Sequence, residues 1–266
     1  MTLIAGIICK DSIVLASNSR TTYLGEYEFF RDDAAKIGVV ELAAERSRRP
    51  RALIAQSGHA DMSARTVEIM ERLAKDRALN DYRVVADLAE AAVGELRTKV
   101  AGNRAMTPEE LGKYCFHLMI AHFFKGKPYL FTLAFEDGIS VWKRDLNLVT
   151  LGCGGPLAEF LLKPFDLASM DTPTATAAAV YAIEAVKGFD PRCGGRTQTG
   201  AAFIAPDNSN QASLADWEHL RFFVDEVESM VGTAKGEWTG IMKKVLERAS
   251  MKWAAYIKET GSIQPR

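Results

Sequence analysis

The segment Tyr114–Phe124 is apolar in both of the registers that an extended chain offers: Phe116, Leu118 and Ile120 on one, Cys115, Met119 and Phe123 on the other. Successive side chains of a strand point to opposite faces, so such a strand belongs in a sheet that is covered on both sides. A parallel sheet between helices meets that demand, and so do two antiparallel sheets stacked on each other with helices outside. The neighbouring runs favour the second. Tyr129–Phe135, Ile139–Lys143 and Leu148–Leu151 are separated only by the turn signals Lys125–Pro128, Glu136–Gly138 and Asp145–Asn147. Those spacers suit hairpins and are too short for the crossover helix that parallel strands need.

The remaining chain supplies further strands and the covering helices. Thr2–Cys9 and Ile13–Ser17 flank the turn Lys10-Asp11-Ser12 and read as a hairpin, and apolar runs follow at Lys36–Leu42 and Ala52–Ala55. Helical spacing then takes over in Ala60–Ala74 (Met62, Ile69, Met70, Leu73) and in Tyr82–Val100 (Val84, Val85, Leu88, Ala92, Val93, Leu96), with Asp81 as an N-cap. A third helix fits Pro173–Lys187, and Thr197–Ala205 reads as another strand. From Asp216 the chain is amphipathic and helical, carrying Trp217, Trp238 and Trp253. The simplest division is a domain over 1–210 and a helical extension over 211–266, packed on that domain or on a neighbouring subunit, since aromatic enrichment is typical of interfaces.

Composition excludes several classes of function. Lys plus Arg is 33 against 34 for Asp plus Glu, a net charge of −1, so no global basic field draws the protein to nucleic acid. The cluster Arg46, Arg48, Arg49 and Arg51 reads as a solvated hairpin loop. No apolar run approaches the ~20 residues that span a bilayer. Met1–Cys9 has no basic flank before it and is cut short by Lys10, so it reads as a strand and not as a signal peptide. The four cysteines (Cys9, Cys115, Cys153, Cys193) are far apart with no CxxC pair, a pattern that fits a reducing cytoplasm and neither a disulfide framework nor a zinc site. His117 and His122 fall on opposite faces of one strand and make no metal pair. Gly152-Cys153-Gly154 follows a strand, but Leu157 stands at the third glycine place of a dinucleotide fingerprint. No metal and no organic cofactor is expected.

The element order, and the local strings more so, resemble the proteasome β-type subunits, in particular their bacterial, ancestral β-subunit-like homologues within the N-terminal nucleophile (Ntn) hydrolases. Thr2-Leu3-Ile4-Ala5-Gly6-Ile7 followed by Lys10-Asp11-Ser12-Ile13-Val14-Leu15-Ala16 resembles the family's opening hairpin. Ser17-Asn18-Ser19-Arg20-Thr21-Thr22 resembles its Asp-Ser-Arg-x-Thr segment, with Asn18 in the Asp place, and Lys36 stands where the family carries a catalytic lysine. Ser57-Gly58-His59-Ala60-Asp61 is similar to the turn that opens the first helix. Leu151-Gly152-Cys153-Gly154-Gly155 and Asp190-Pro191-Arg192-Cys193-Gly194-Gly195 resemble the Gly-Ser-Gly and Asp-x-x-Ser-Gly strings, with cysteines in the serine places. The likeness runs from residue 2 to about 205. It implies an α+β fold, the four-layer αββα sandwich of the Ntn hydrolases, with a helical C-terminal extension.

The same resemblance implies a chemistry. A threonine hydroxyl is a poor nucleophile until a base takes its proton, and a free α-amino group with pKa near ~8 can do so. The nucleophile must then be the first residue, and Thr2 qualifies once Met1 is removed. Lys36 tunes the amine and passes protons. Asn18 replaces the anion that holds this lysine in the family, which should lower the pKa of Lys36. The Ser57 backbone N–H is the oxyanion donor, Asp190 with Cys153 and Cys193 orients the Thr2 amine, and Thr22, Ala55 and His59 line the pocket before the scissile bond. The implied function is a threonine-type peptidase subunit with a peptide or unfolded-protein substrate, self-associating into a ring or related oligomer and served by a regulatory ATPase, with neither nucleic acid nor membrane as partner. Two readings stand beside it: a subunit whose site has decayed through Asn18, and an Ntn amidase acting on a small amide.

Overall fold

The computed structural model describes residues 2–23, 29–42, 51–75, 77, 81–101, 107, 112–136, 139–204, 210–215, 244, 247, 248, 250 and 251. Twelve strands and four α-helices follow one another among them. The strands are β1 (Leu3–Ile8), β2 (Ser12–Asn18), β3 (Thr21–Tyr23), β4 (Phe29–Arg31), β5 (Ile37–Glu41), β6 (Arg51–Gly58), β7 (Phe116–Phe124), β8 (Lys127–Phe135), β9 (Ile139–Arg144), β10 (Leu148–Gly152), β11 (Thr197–Ile204) and β12 (Asn210–Ala215). Helices α1 (Ala60–Ala74) and α2 (Val84–Ala101) lie between β6 and β7, and α3 (Gly155–Leu162) and α4 (Thr172–Phe189) between β10 and β11.

Two five-stranded antiparallel sheets carry the fold, ordered β10-β1-β2-β11-β12 and β5-β6-β7-β8-β9, and β3 pairs with β4 apart from them. β7 behaves as its two apolar registers require. Phe116, Leu118 and Ile120 pack with Met70, Leu88 and Val93 of α1 and α2. Met119, Ala121 and Phe123 face the other way, onto Ile4, Ile13 and Leu15 of the opposite sheet. Leu3, Ala5, Ile7 and Val14, on the outer face of that sheet, meet Tyr181, Ile183 and Val186 of α4. Each fully buried Leu or Ile contributes ~1.5–3 kcal/mol, and the three clusters in series make helix, sheet, sheet and helix layers. This is the four-layer αββα sandwich that the sequence leads one to expect.

The helix starts are set locally. His59 caps α1, its ring Nδ1 accepting from Met62 N at 3.4 Å. Asp171 caps α4 by accepting from Thr174 N at 2.9 Å. Asp81 accepts from Arg83 N at 2.8 Å in the turn that leads into α2. Helix α3 has no side-chain cap and a Gly-Gly-Pro start, and is nearly all apolar, which is why helical periodicity does not announce it.

One boundary falls elsewhere than the sequence suggests. β12 pairs along β11 from Thr199↔Ala215 to Ile204↔Asn210, so a domain ending at residue 210 would cut a strand of the sheet. Its sequence, Asn-Gln-Ala-Ser-Leu-Ala, has too few large apolar residues to read as a strand without its partner. The helical extension lies largely outside the described residues, as do Met1, Arg46, Arg48, Arg49 and the three tail tryptophans. Thr174 Oγ1 does donate to Ser250 Oγ at 3.0 Å, which places that part of the tail at the start of α4. No helix among the described residues is long and apolar enough to cross a membrane. His122 is buried on the helix side of β7, its ring stacked on Tyr129 and Phe131, whereas His117 meets Glu136 at 2.8 Å.

Candidate active site

At one end of the sandwich the start of β1, the approach to β5, the end of β6 and the end of β10 converge on a cleft of about 710 Å³. Thr2, Lys36, Ser57, His59 and Cys153, all singled out in the sequence, line it. Lys36 Nζ donates to Thr2 Oγ1 at 2.9 Å and also to the Arg20 carbonyl oxygen. Both residues are buried, Thr2 at 8% and Lys36 at 5% exposure. The backbone that carries Lys36 is clamped on both sides. Its N–H donates to Gln198 Oε1 at 2.8 Å, and its carbonyl accepts from Gln56 N at 2.9 Å. Gln198 Nε2 and Gln56 Nε2 hold the Ala34 and Ala35 carbonyls at 2.8 and 3.1 Å. These two glutamines are positioning residues that sequence reasoning missed, because a strand glutamine reads as solvent-facing until the partner loop is known.

Burial dominates the electrostatics of Lys36. Desolvation pulls its pKa from the usual lysine range down to about 7, against smaller opposing effects from Cys193, Cys153 and Asp32. Among the described residues no carboxylate forms an ion pair with it.

Asn18 is fully buried and works elsewhere. Its Oδ1 accepts from Leu3 N at 2.7 Å and its Nδ2 donates to the Gly194 carbonyl at 3.1 Å. It ties the first residues of β1 to the loop before β11, so both ends of its amide are bound to backbone groups and not to Lys36. A carboxylate at this position would set an anionic oxygen against the Gly194 carbonyl. Asn18→Asp is accordingly expected to destabilise the fold, by about 1–3 kcal/mol in chemical denaturation.

Around Gly194 the chain is packed against Arg20. The guanidinium donates from Nε and Nη2 to the Asp32 carboxylate at 2.7 and 2.8 Å and from Nη1 to the Pro191 carbonyl at 2.7 Å. A Cβ at Gly194 would lie 2.3 Å from its Cζ, so only glycine permits this approach. Asp190, at the end of α4, is bound by Arg192 through Nε (2.9 Å) and Nη2 (3.0 Å), and that pairing holds its pKa below the ordinary carboxylate range. Cys153 Sγ lies 3.6 Å from the Thr2 carbonyl oxygen and 3.6 Å from Cys193 Sγ. The Cys193 thiol hydrogen-bonds the Cys153 sulfur, which brings the Cys153 pKa down to about 6, while that bond and burial push Cys193 up. Asp190, Cys153 and Cys193 are thus gathered beside Thr2.

Two placements in the cleft differ from expectation, and a third lies outside the described residues. The register Ser57↔His117, followed by His59 N donating to the Cys115 carbonyl at 2.9 Å, puts the Ser57 N–H into the β6–β7 ladder. Gln56 N points the opposite way, to Lys36, so ladder alternation turns the Gly58 N–H to the cleft side, beyond the end of β5. Gly58 sits at φ +90°, and a Cβ there would meet the Cys115 carbonyl at 2.5 Å. Ala55 is fully buried in the layer between the sheets and does not line the cleft, because odd-numbered β6 positions face inward. The side chain of Thr22 lies outside the described residues, and its neighbour Thr21 lines the cleft with Lys113 and Cys115.

No protein-family model and no curated protein matches the chain. Solved structures do. An Anbu (Gly-1) mutant from Hyphomicrobium sp. strain MC1 is 15% identical, with a TM-score of 0.61 over 87% of this chain and 96% of that one. Anbu (ancestral beta-subunit) from Yersinia bercovieri is 12% identical, TM-score 0.62, over 88% and 98%. The helical assembly of the Anbu complex from Pseudomonas aeruginosa is 12% identical, TM-score 0.62, over 90% and 99%. At these identities the likeness is one of fold, and the fold that this chain shares is that of the Anbu proteins.

Proposed function

We propose that the chain is a proteasome-like subunit with a threonine-type hydrolase site, in which Thr2 becomes the first residue after loss of Met1 and attacks a peptide carbonyl. The observation that carries this reading is the 2.9 Å contact between Thr2 Oγ1 and a buried lysine whose pKa is brought to about 7. A neutral amine at that distance accepts the hydroxyl proton as the oxygen attacks, with the α-amine of Thr2 as the second proton carrier. The Gly58 N–H receives the developing oxyanion. Asp190, Cys153 and Cys193 fix the first residue from the other side, and water then releases the acyl group from Thr2. The cleft, open and lined by backbone as well as side chains, suits an extended peptide. Self-association is part of the proposal, supported by the helical assembly in which one structural neighbour was solved, as are an unfolded-protein substrate, a regulatory ATPase and a cytoplasmic location.

The test is turnover of a panel of fluorogenic peptides and small amides by the processed protein and by Thr2→Ala. Peptide release is expected, and a fall of at least about a thousandfold in Thr2→Ala. Turnover of small amides alone would select the amidase reading. No turnover from a chain shown to begin at Thr2 would select the decayed subunit.

A further inference from the structure

Cys153, Cys193 and Asp190 lie 40 and 37 residues apart in sequence at their widest, a spacing that resembles no metal motif, yet the fold brings one ligand atom of each within 4.8 Å of the others. We propose that this cluster is a site for a thiophilic divalent cation of the zinc class, seated beside Thr2.

The geometry supports it at several points. Two sulfurs each ~2.3 Å from a tetrahedral ion sit roughly 3.8 Å apart, and Cys153 Sγ and Cys193 Sγ are 3.6 Å apart. Both thiols are free. The positions are held rigidly from behind. Gly154, between the first thiol and α3, has no room for a Cβ, which would meet Val186 at 2.7 Å and Cys193 Sγ at 3.0 Å. Cys193 N donates to the Asp190 carbonyl at 2.9 Å, which closes the loop carrying the other two ligands. Cys193 is buried and Cys153 opens onto the cleft, so an ion there is enclosed behind and keeps a coordination position toward the cleft. Two thiolates and a carboxylate with one open position is a donor set suited to zinc.

One residue opposes the ion. Arg192 holds both Asp190 oxygens and places its positive charge at the mouth of the site. Its side chain is about half exposed (48%) and can leave without opening the core. The cation would take the carboxylate from the guanidinium, bind the Cys153 sulfur and displace the Cys193 thiol proton to solvent. Removing Arg192 should therefore tighten binding, which no purely structural role for the cluster predicts.

Cobalt(II) is the probe, titrated into the whole protein under argon with a phosphine reductant that does not chelate it. The expected result is one Co²⁺ per chain, with near-ultraviolet thiolate-to-cobalt charge transfer and intense visible bands of tetrahedral coordination, both bleached by Zn²⁺. Cys153→Ser should abolish the charge transfer, and so should Cys193→Ser. Asp190→Asn should weaken binding by about tenfold or more, whereas Arg192→Ala should tighten it by a similar factor. Because Cys193 is buried, Cys153→Ser carries the argument if Cys193→Ser does not fold. Absence of charge transfer from the reduced wild type, or its persistence in Cys153→Ser, overturns the site. An oxidised pair, 2 Da lighter and without metal uptake under the reductant, overturns it also. None of these readouts depends on hydrolysis.

Discussion

Replacing Lys36 by methionine is expected to abolish turnover and, in the same protein, to raise stability. The two effects have one cause. Lys36 is buried at the end of a cleft with Thr2 Oγ1 and the Arg20 carbonyl as its contacts, and desolvation brings its pKa to about 7. Its folded pKa lies below that of the unfolded chain. Between pH about 7 and about 10.5 the unfolded state therefore binds the proton that the folded state lacks. Stability rises with pH across that window, and the penalty is complete below it. Methionine fills the volume of the aliphatic stem without charge, although the Arg20 carbonyl then loses a donor. The net gain expected at pH 7 is on the order of 2 kcal/mol, shrinking toward pH 10, as measured by urea denaturation at the two values. Loss of the proton carrier should lower the peptide rate by about a thousandfold or more. In the wild type the rate should rise as pH passes through about 7. A flat profile, or a Lys36→Met protein no more stable than wild type, contradicts the role given to this lysine.

The second large effect concerns Gly152. It sits at φ +87° at the end of β10, paired with Leu3, and a Cβ there would fall 1.9 Å from the Thr2 carbonyl oxygen and 2.7 Å from its carbon. Both atoms are backbone, so no flexible side chain can yield. Gly152→Ala must displace the start of β1 or break its pairing with β10. A loss of about 3 kcal/mol or more is expected, a fall in Tm of roughly 10 °C, with loss of any Thr2 reactivity. Gly94→Ala is the matched control. It lies inside α2 with nothing within 4 Å of a built Cβ. It should gain up to about 1 kcal/mol from helix propensity. Equal stability of the two variants would mean that the close approach at Gly152 does not constrain the site.

Much of this architecture is legible in the sequence, and what is not has physical reasons. β7 announces the double cover by being apolar in both registers, and Phe116 and Met119 do face the two layers that pattern demands. The long helices α1, α2 and α4 carry periodicity, and α1 and α4 carry caps. Helix α3 and strand β12 do not: the first is short and apolar all round, the second is small and polar, and both owe their form to what they pack against. At the site, Thr2, Lys36, Cys153, Asp190 and Cys193 come together from four segments, as the motif strings imply. The finer placements depend on geometry. Strand alternation gives the cleft the Gly58 N–H in place of that of Ser57, and Asn18 is spent on holding Leu3 to Gly194. A one-residue difference of phase in a strand, or the target of a buried amide, leaves no mark on sequence pattern.

The central claim is that Thr2 becomes an N-terminal nucleophile, and intact mass tests it most directly. The purified protein is weighed before and after incubation with an electrophile selective for N-terminal threonine, alongside Thr2→Ala. The account predicts loss of the Met1 mass and addition of a single adduct in the wild type, and no adduct in Thr2→Ala. Retained methionine, or a trimmed chain that takes up no adduct, contradicts it.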